Sequence, residues 1–364
     1  MKKIRCKLGK RSYSIYVGRN IVSKLGRYIK ECAISGKVLV VTNRKISRLY
    51  FSKLKRSLLK ARLKIYSHIL PDSERAKSQK ELFKICNTLA EAQFDRYSTV
   101  VALGGGVIGD VSGFCASTYM RGINFVNVPT TLLAQVDSAV GGKTAINLVK
   151  GKNLVGTFHQ PRCVISDISV LSSLSKKQLA ISLAEVIKYG IIWDSTFFRY
   201  LENNIEKALK GNAGVLEHIV YTSSKIKVRV VEQDEKEISG LRAILNYGHT
   251  FAHAFEAEGK YTAIEHGEAV ALGMIAAARL AQTLGVCSVK DVLCIESLIK
   301  RIGLYKSLRK YKIKVNNCVQ LMQLDKKNRN NTITLVLPTK IGRVKIVRNV
   351  SSQLIKRAIK SLYF

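Results

Sequence analysis

Acidic residues are scarce in this chain. Its 364 residues include 25 Asp and Glu against 61 Lys and Arg, a formal net charge of +36. An excess of that size raises a polyanion as a partner. The cations are spread over the whole sequence, however, with no module that interleaves them with aromatics. The densest clusters, KLKRSLLKARLK at 53–64 and KRAIK near the C-terminus, have the spacing of solvated helix faces. The charge reads as surface composition that helps steer anionic substrates, with nucleic-acid binding only adventitious at low salt.

Other absences narrow the class. Four prolines, with no internal repeat and no low-complexity tract, exclude a proline-rich linker or a solenoid. The eight cysteines contain no C-x-x-C pair, which argues against a disulfide framework and for free thiols in a reducing compartment. The longest apolar run, Ala269 to Ala278, is too short to span a bilayer. The basic start, MKKIRCKLGKRSYS, is followed by no apolar h-region of the kind a secretory signal needs. A soluble, cytoplasmic protein is expected, with no membrane partner.

What is present is a sizeable apolar fraction, 47%, in a chain long enough for two domains. The most informative stretch is 98–160. Val100 to Leu103 reads as a buried strand. Gly104, Gly105 and Gly106 follow, and Val107 to Ala116 reads as a helix. A strand, a glycine turn and a helix N-terminus can cradle phosphate, because orphan N–H groups and the helix dipole attract negative charge there. Gly104, Gly106 and Gly109 satisfy G-x-G-x-x-G, a weak signal alone. No acidic residue follows at the usual distance of roughly 20 positions, so ribose contacts would come from elsewhere. Further on, Thr130 and Thr131 follow the strand-like run Phe125 to Val128. Asp137, Lys143, Lys152 and Asn153 crowd among Gly141, Gly142, Gly151 and Gly156. Such residues bury poorly without partners, so these loops are expected to contact something.

In chain order, Tyr13–Val17, Lys37–Val41 and Lys64–Leu70 read as strands, while 21–32 and 49–62 read as helices. Pro71 and Asp72 begin a turn in PDSERAKS, and Ser73 or Asp72 can cap a helix running to about Ala92. Strands alternate with helices up to about Ile168, which predicts an open α/β domain with a mostly parallel sheet. Helical patterns then dominate until Thr332 to Pro338. The expected domains are 1–172 and 173–364.

The helical half contains AEVIKYG at 184–190, NYGHTFAHAFE at 246–256 and IEHGEAV at 264–270. His249 and His253, at i and i+4, share one helix face. His266 precedes Gly267 at a helix start, and Glu185 lies on another helix. A carboxylate with two imidazoles makes a metal site with open positions. Helical period alone leaves the choice between His249 and His253 open.

GGGVIGD, YMRGI, PTTLLAQVDSAVGGKTAIN and GKNLVG resemble the signature segments of the 3-dehydroquinate synthases, within the sugar-phosphate cyclase superfamily. The resemblance runs over nearly the whole chain and is strongest from about 100 to 275. It implies a Rossmann-like α/β N-terminal domain with a mostly parallel sheet, then an all-α metal-binding C-terminal domain. It implies the shikimate-pathway conversion of 3-deoxy-D-arabino-heptulosonate 7-phosphate to 3-dehydroquinate and phosphate, a lyase reaction with catalytic NAD. By the same resemblance, NAD is held by Glu74, Lys77, Gly104, Gly105, Gly106, Asp110, Thr130, Thr131, Asp137, Lys143, Lys152 and Asn153. Zinc, or cobalt, is held by Glu185, His249 and His266, and His253 stands by the departing phosphate. Lys188, Lys227, Arg242 and Asn246 match positions that hold the substrate's carboxylate and hydroxyls, with Lys143, Asp137, Asn153, Lys326 and Lys327 as further candidates. Arg121 matches an arginine donated across a homodimer interface.

The chain departs from the family pattern at Ser73 and at Ser182, where glycine is usual. It also carries one extra residue in DEKEISGLR, which disturbs the match of Glu237. Three rival readings remain open: a sister cyclase acting on glucose 6-phosphate or sedoheptulose 7-phosphate, a simple metal-dependent polyol dehydrogenase, and a basic nucleic-acid-binding protein.

Overall fold

The computed structural model describes residues 1–149, 151–323 and 333–364. They form two compact units, one of Met1–Leu174 with Leu216–Lys236, the other of Ser175–Val215 with Glu237–Phe364. The sequence reading drew one boundary, at 172/173; the chain passes between units at Leu174–Ser175 and again at both ends of 216–236.

The first unit is built on a seven-stranded sheet. Its strands are β1 (Lys2–Cys6), β2 (Tyr13–Gly18), β3 (Lys37–Asn43), β4 (Lys64–Leu70), β5 (Thr99–Gly104) and β6 (Asn124–Pro129), with the strand Cys163–Asp167 between β2 and β6. Runs such as Val38–Val41 and Val100–Leu103 are fully buried, as expected of β-branched strands covered on both faces. β1 and β2 pair antiparallel, and every other pairing in this sheet is parallel. The order places β3 beside β5, with β4 outside one and β6 outside the other. The progression of the strand order therefore reverses between the parallel strands β3 and β5. In such sheets the crevice beyond the carboxyl ends of the strands at that point takes the ligand. The glycine turn leaves β5 at this position.

Helix Gly106–Thr118 packs on the sheet through Ile108, Val111 and Phe114, and two glycines let it approach its neighbours closely. A Cβ on Gly109 would lie 3.2 Å from the Asn127 amide, and one on Gly113 only 2.4 Å from Thr144 Cγ2. Between β6 and Cys163–Asp167 the chain forms an antiparallel hairpin, β7 (Lys143–Leu148) and β8 (Gly151–Phe158).

The second unit is helical, with Lys176–Ile192, Ser195–Leu209, His249–Glu258, His266–Thr283, Val289–Arg301, Val315–Gln323 and Ser352–Lys360. The expectation of an all-α half needs one correction. Leu335–Lys340 and Arg343–Val347 form an antiparallel pair, the first supplied by the apolar end of the TITLVLP run. Ser175 opens the first helix in a reciprocal capping box with Gln178, which satisfies donors that a helix start leaves orphaned. The Ala269 to Ala278 run lies inside His266–Thr283 as a buried core helix. Among the described residues no helix is long and apolar enough to cross a membrane.

Candidate functional site

The first unit gathers polar residues around the glycine turn. Gly105 caps helix Gly106–Thr118 with an extended backbone. A Cβ on Gly105 would stand 3.2 Å from Thr131 Cγ2, and one on Gly106 3.1 Å from Ser138 Oγ. Larger residues would crowd this turn, as a backbone phosphate cradle requires. Thr130 donates its backbone N–H to the Gly104 carbonyl at 2.9 Å. Its hydroxyl is buried without a hydrogen-bond partner among the described residues, and is so left for a ligand. The donor set and the bare turn fit a dinucleotide phosphate.

Beside the turn, the buried Lys77 ammonium donates to Asp110 Oδ2 at 2.6 Å and also to Asn153 Oδ1. Burial pushes the Asp110 carboxyl up, and Lys77 opposes that rise. Glu74 joins the group through a residue that sequence reasoning missed. Asn147 Nδ2 donates to Glu74 Oε1 at 2.8 Å, Asn147 N–H donates to the Lys77 carbonyl at 2.8 Å, and Asn147 Oδ1 accepts from Asn153 N–H at 2.9 Å. Asn147 thus ties together three expected cofactor residues that are far apart in sequence. Only its place in the Lys143–Leu148 strand, facing that group, could have signalled it. Ser73, in place of the usual glycine, has φ −162°, an extended backbone open to any residue, so the loop does not need glycine there.

Lys227 does not lie with the helical unit. It belongs to the first unit, where its ammonium donates to Asp137 Oδ1 and to the Asp137 carbonyl, both at 2.7 Å. Lys143 and Lys152 are exposed on the hairpin. Arg121 is exposed in the turn Tyr119–Arg121, where Met120, Arg121 and Gly122 take φ values of 48°, 66° and 122° in succession.

In the second unit three ligand atoms, one each from Glu185, His249 and His266, lie within 4.8 Å of one another. Glycines bring their helices together. A Cβ on Gly267 would be 2.3 Å from the Ile181 carbonyl oxygen, one turn before Glu185. One on Gly273 would be 2.2 Å from the Gly248 carbonyl, just before His249. Glu185 Oε1 faces His249 Nε2 at 3.2 Å and His266 Nε2 at 3.6 Å. His249 Nδ1 contacts the Tyr247 carbonyl at 3.2 Å, and His266 Nδ1 contacts Glu256 Oε2 at 3.3 Å. The partners of both Nδ1 atoms orient the rings so that both Nε2 atoms face Glu185. One carboxylate and two imidazoles, supported in this way, fit a divalent metal with open positions.

His253 lies beside the triad, its ring centroid 5.7 Å from that of His249, but it is exposed and outside the ligand group. Lys188 is buried against Glu185 Oε2. Burial would push the Glu185 carboxyl up, but Lys188 and the two imidazoles hold it well below the usual carboxylate range. The half-buried His266 is pushed up to about 10: desolvation alone would lower it, and its hydrogen bonds to Glu185 and Glu256 overcome that.

Arg242 is buried with Nε 3.6 Å from Glu237 Oε1, and Asn246 ends the short turn Leu241–Asn246. Glu237 itself has φ 58°, a left-handed backbone within this segment. Ser182 donates its hydroxyl to the Gln178 carbonyl at 2.7 Å; the serine is satisfied within its own helix and leaves Glu185 undisturbed. Lys326 and Lys327 lie outside the described residues.

Family models for the N-terminal and C-terminal parts of 3-dehydroquinate synthase match residues 67–181 and 182–328. The chain belongs to the 3-dehydroquinate synthase family. A 3-dehydroquinate synthase from Thermoanaerobacter sp. (strain X514) is 46% identical over 352 residues, covering 96% of this chain and 97% of the relative. Solved structures extend the likeness beyond that family. A 2-deoxy-scyllo-inosose synthase complexed with carbaglucose-6-phosphate, NAD+ and Co2+ is 25% identical, with a TM-score of 0.87 over 99% of both chains. A 2-epi-5-epi-valiolone synthase from Streptomyces hygroscopicus subsp. jinggangensis 5008, bound to NAD+ and Zn2+, shares the fold at 23% identity and a TM-score of 0.85, covering 98% of both chains.

Proposed function

We propose that this chain converts 3-deoxy-D-arabino-heptulosonate 7-phosphate to 3-dehydroquinate and phosphate, as a phosphate-eliminating lyase of the shikimate pathway. NAD is used catalytically, and Zn2+, or Co2+ in its place, is the metal. The carrying observation is the Glu185–His249–His266 triad, in a chain whose 46%-identical relative over almost its whole length is a 3-dehydroquinate synthase. When bound, NAD supplies a reversible oxidation, and the metal supplies Lewis-acid polarisation of the reacting oxygen.

The chain's own residues bind and orient. The Gly104–Gly106 turn with Thr130 and Thr131 takes the pyrophosphate of NAD. Glu74, Lys77, Asp110 and Asn153 take its more distant groups. Lys188, held against Glu185, positions a substrate hydroxyl. Arg242 suits a planar carboxylate, which its guanidinium can engage with two parallel hydrogen bonds. Lys227 adds a further ammonium and Asn246 a further amide for the substrate, Lys143, Asn153, Lys326 and Lys327 are further substrate candidates, and Lys152 joins the cofactor set. His253, exposed beside the triad, donates to the departing phosphate. That phosphate carries basic oxygens of its own, so no dedicated side-chain base is needed.

We infer a homodimer with Arg121 crossing the interface. The consecutive positive φ values around Arg121 support this, because strained backbone concentrates at functional contacts. So do Leu148, Leu154, Val155 and Phe158, apolar and exposed on the neighbouring hairpin. The free cysteines among the described residues suit the cytoplasm.

The nearest alternative is a sister cyclase. Its substrates lack the carboxylate that Arg242 suits, and the likeness to 2-deoxy-scyllo-inosose synthase is only 25%. The deciding experiment measures phosphate release from 3-deoxy-D-arabino-heptulosonate 7-phosphate, with and without NAD, after chelation and after zinc restoration. Release that needs both, without net NADH, supports the proposal. Turnover on glucose 6-phosphate or sedoheptulose 7-phosphate instead moves the chain to a sister activity, and net NADH makes it a dehydrogenase.

A further inference from the structure

The two imidazoles of the triad are backed by unlike groups. His249 Nδ1 faces a neutral backbone carbonyl, that of Tyr247 at 3.2 Å. His266 Nδ1 faces a buried carboxylate, Glu256 Oε2 at 3.3 Å. The charge around the centre makes the difference matter. Glu185 is the single carboxylate among the three ligand residues, and Lys188 sits on its second oxygen. A lysine there offsets the charge that a dication would otherwise meet. Glu256, seven positions after His249 and one helix away from His266, supplies a second negative charge on the far side of the His266 ring.

We propose that Glu256 is a positioning residue of the metal centre. It accepts the Nδ1 proton of His266, turns the Nε2 atom toward Glu185, and provides the anionic charge that Lys188 offsets at Glu185. This rests on the reading of Glu185, His249 and His266 as metal ligands. The geometry is that of a carboxylate–histidine–metal relay, in which the outer carboxylate both fixes the ring and strengthens the ligand.

The test uses the full-length protein, stripped with chelator and titrated with Zn2+ against a chromophoric competitor, and with Co2+ followed by its visible absorption. Glu256→Gln keeps size and hydrogen-bonding capacity but removes the charge. Its metal affinity is expected to fall roughly ten- to hundred-fold, with a changed Co2+ spectrum. The melting temperature of the metal-free protein should change little. Glu256→Asp keeps the charge on a shorter arm and should recover part of the affinity; it also serves if the Gln variant does not fold.

Wild-type affinity and an unchanged Co2+ spectrum in Glu256→Gln would overturn the inference while leaving the triad intact. So would equal losses in the Gln and Asp variants, which would mean that shape matters and charge does not. Failure of the unaltered protein to bind either metal, or binding that survives Glu185→Gln unchanged, would overturn the triad reading and this inference with it.

Discussion

Lys77 Nζ stands 2.6 Å from Asp110 Oδ2, a buried cation joining the segment before the Gln79–Glu91 helix to the second turn of Gly106–Thr118. Both side chains also border the glycine turn, so the pair sets the shape of the proposed dinucleotide site as well as its charge. Replacing Lys77 with Met removes a charge-assisted contact of about 1.5–3 kcal/mol. NAD affinity, read by fluorescence titration, is expected to fall about ten- to hundred-fold. Unaltered affinity would exclude Lys77 from the cofactor site.

Asn147 is expected to act on the same property at one remove. Asn147→Ala leaves Glu74 and Asn153 in place but removes the amide that holds them to each other. The KM for NAD should rise, with a smaller change in kcat. Equal loss in both would indicate a damaged fold instead.

Gly267→Ala tests how the proposed metal ligands are brought together. The new methyl group would meet the Ile181 carbonyl at 2.3 Å, so one helix must move. The expected cost is about 1–3 kcal/mol of stability, read as a lower melting temperature, together with weaker zinc binding because Glu185 and His266 lie on the two displaced helices. A variant that melts and binds zinc like the parent would contradict this packing.

Glu185→Gln removes the one carboxylate among the three proposed ligands. Turnover should be lost and bound zinc should fall well below one equivalent by elemental analysis, while the far-ultraviolet circular dichroism stays that of a folded protein. Chelation of the unaltered protein should abolish phosphate release reversibly. Normal rates in Glu185→Gln without metal would remove the triad from the mechanism.

The formal charge of +36 predicts retention on a polyanion matrix near about 50 mM salt that is lost steeply as salt rises. Catalysis should be insensitive to added nucleic acid at physiological salt. Inhibition there would give the basic surface a function of its own.

Several of these features could be read from the chain alone. Val100–Leu103 followed by three glycines marked both a strand and the turn that ends it, because apolar period and glycine turns are local signals. The three metal segments were visible as motifs. The distinction between His249 and His253 was not visible, because both lie on one helix face and only the approach of the Lys176–Ile192 helix sets which ring meets Glu185. Glu256 and Asn147 escaped notice for a related reason. Each acts through a hydrogen bond to a residue on another element, and nothing in its immediate sequence marks that partner. The membership of 216–236 in the first unit was hidden too, since a helix reads the same whichever core it joins.

That membership bears on how the protein can be divided. Each unit is made of two separate stretches of chain, so no single cut in the gene yields either one whole. A fragment ending after the sheet would lack the helix that carries Lys227 and would strand Asp137 without the cation that holds it. The two halves are therefore inherited and synthesised as an interleaved pair, and a swap of cofactor units between related enzymes needs two exchanged segments, not one.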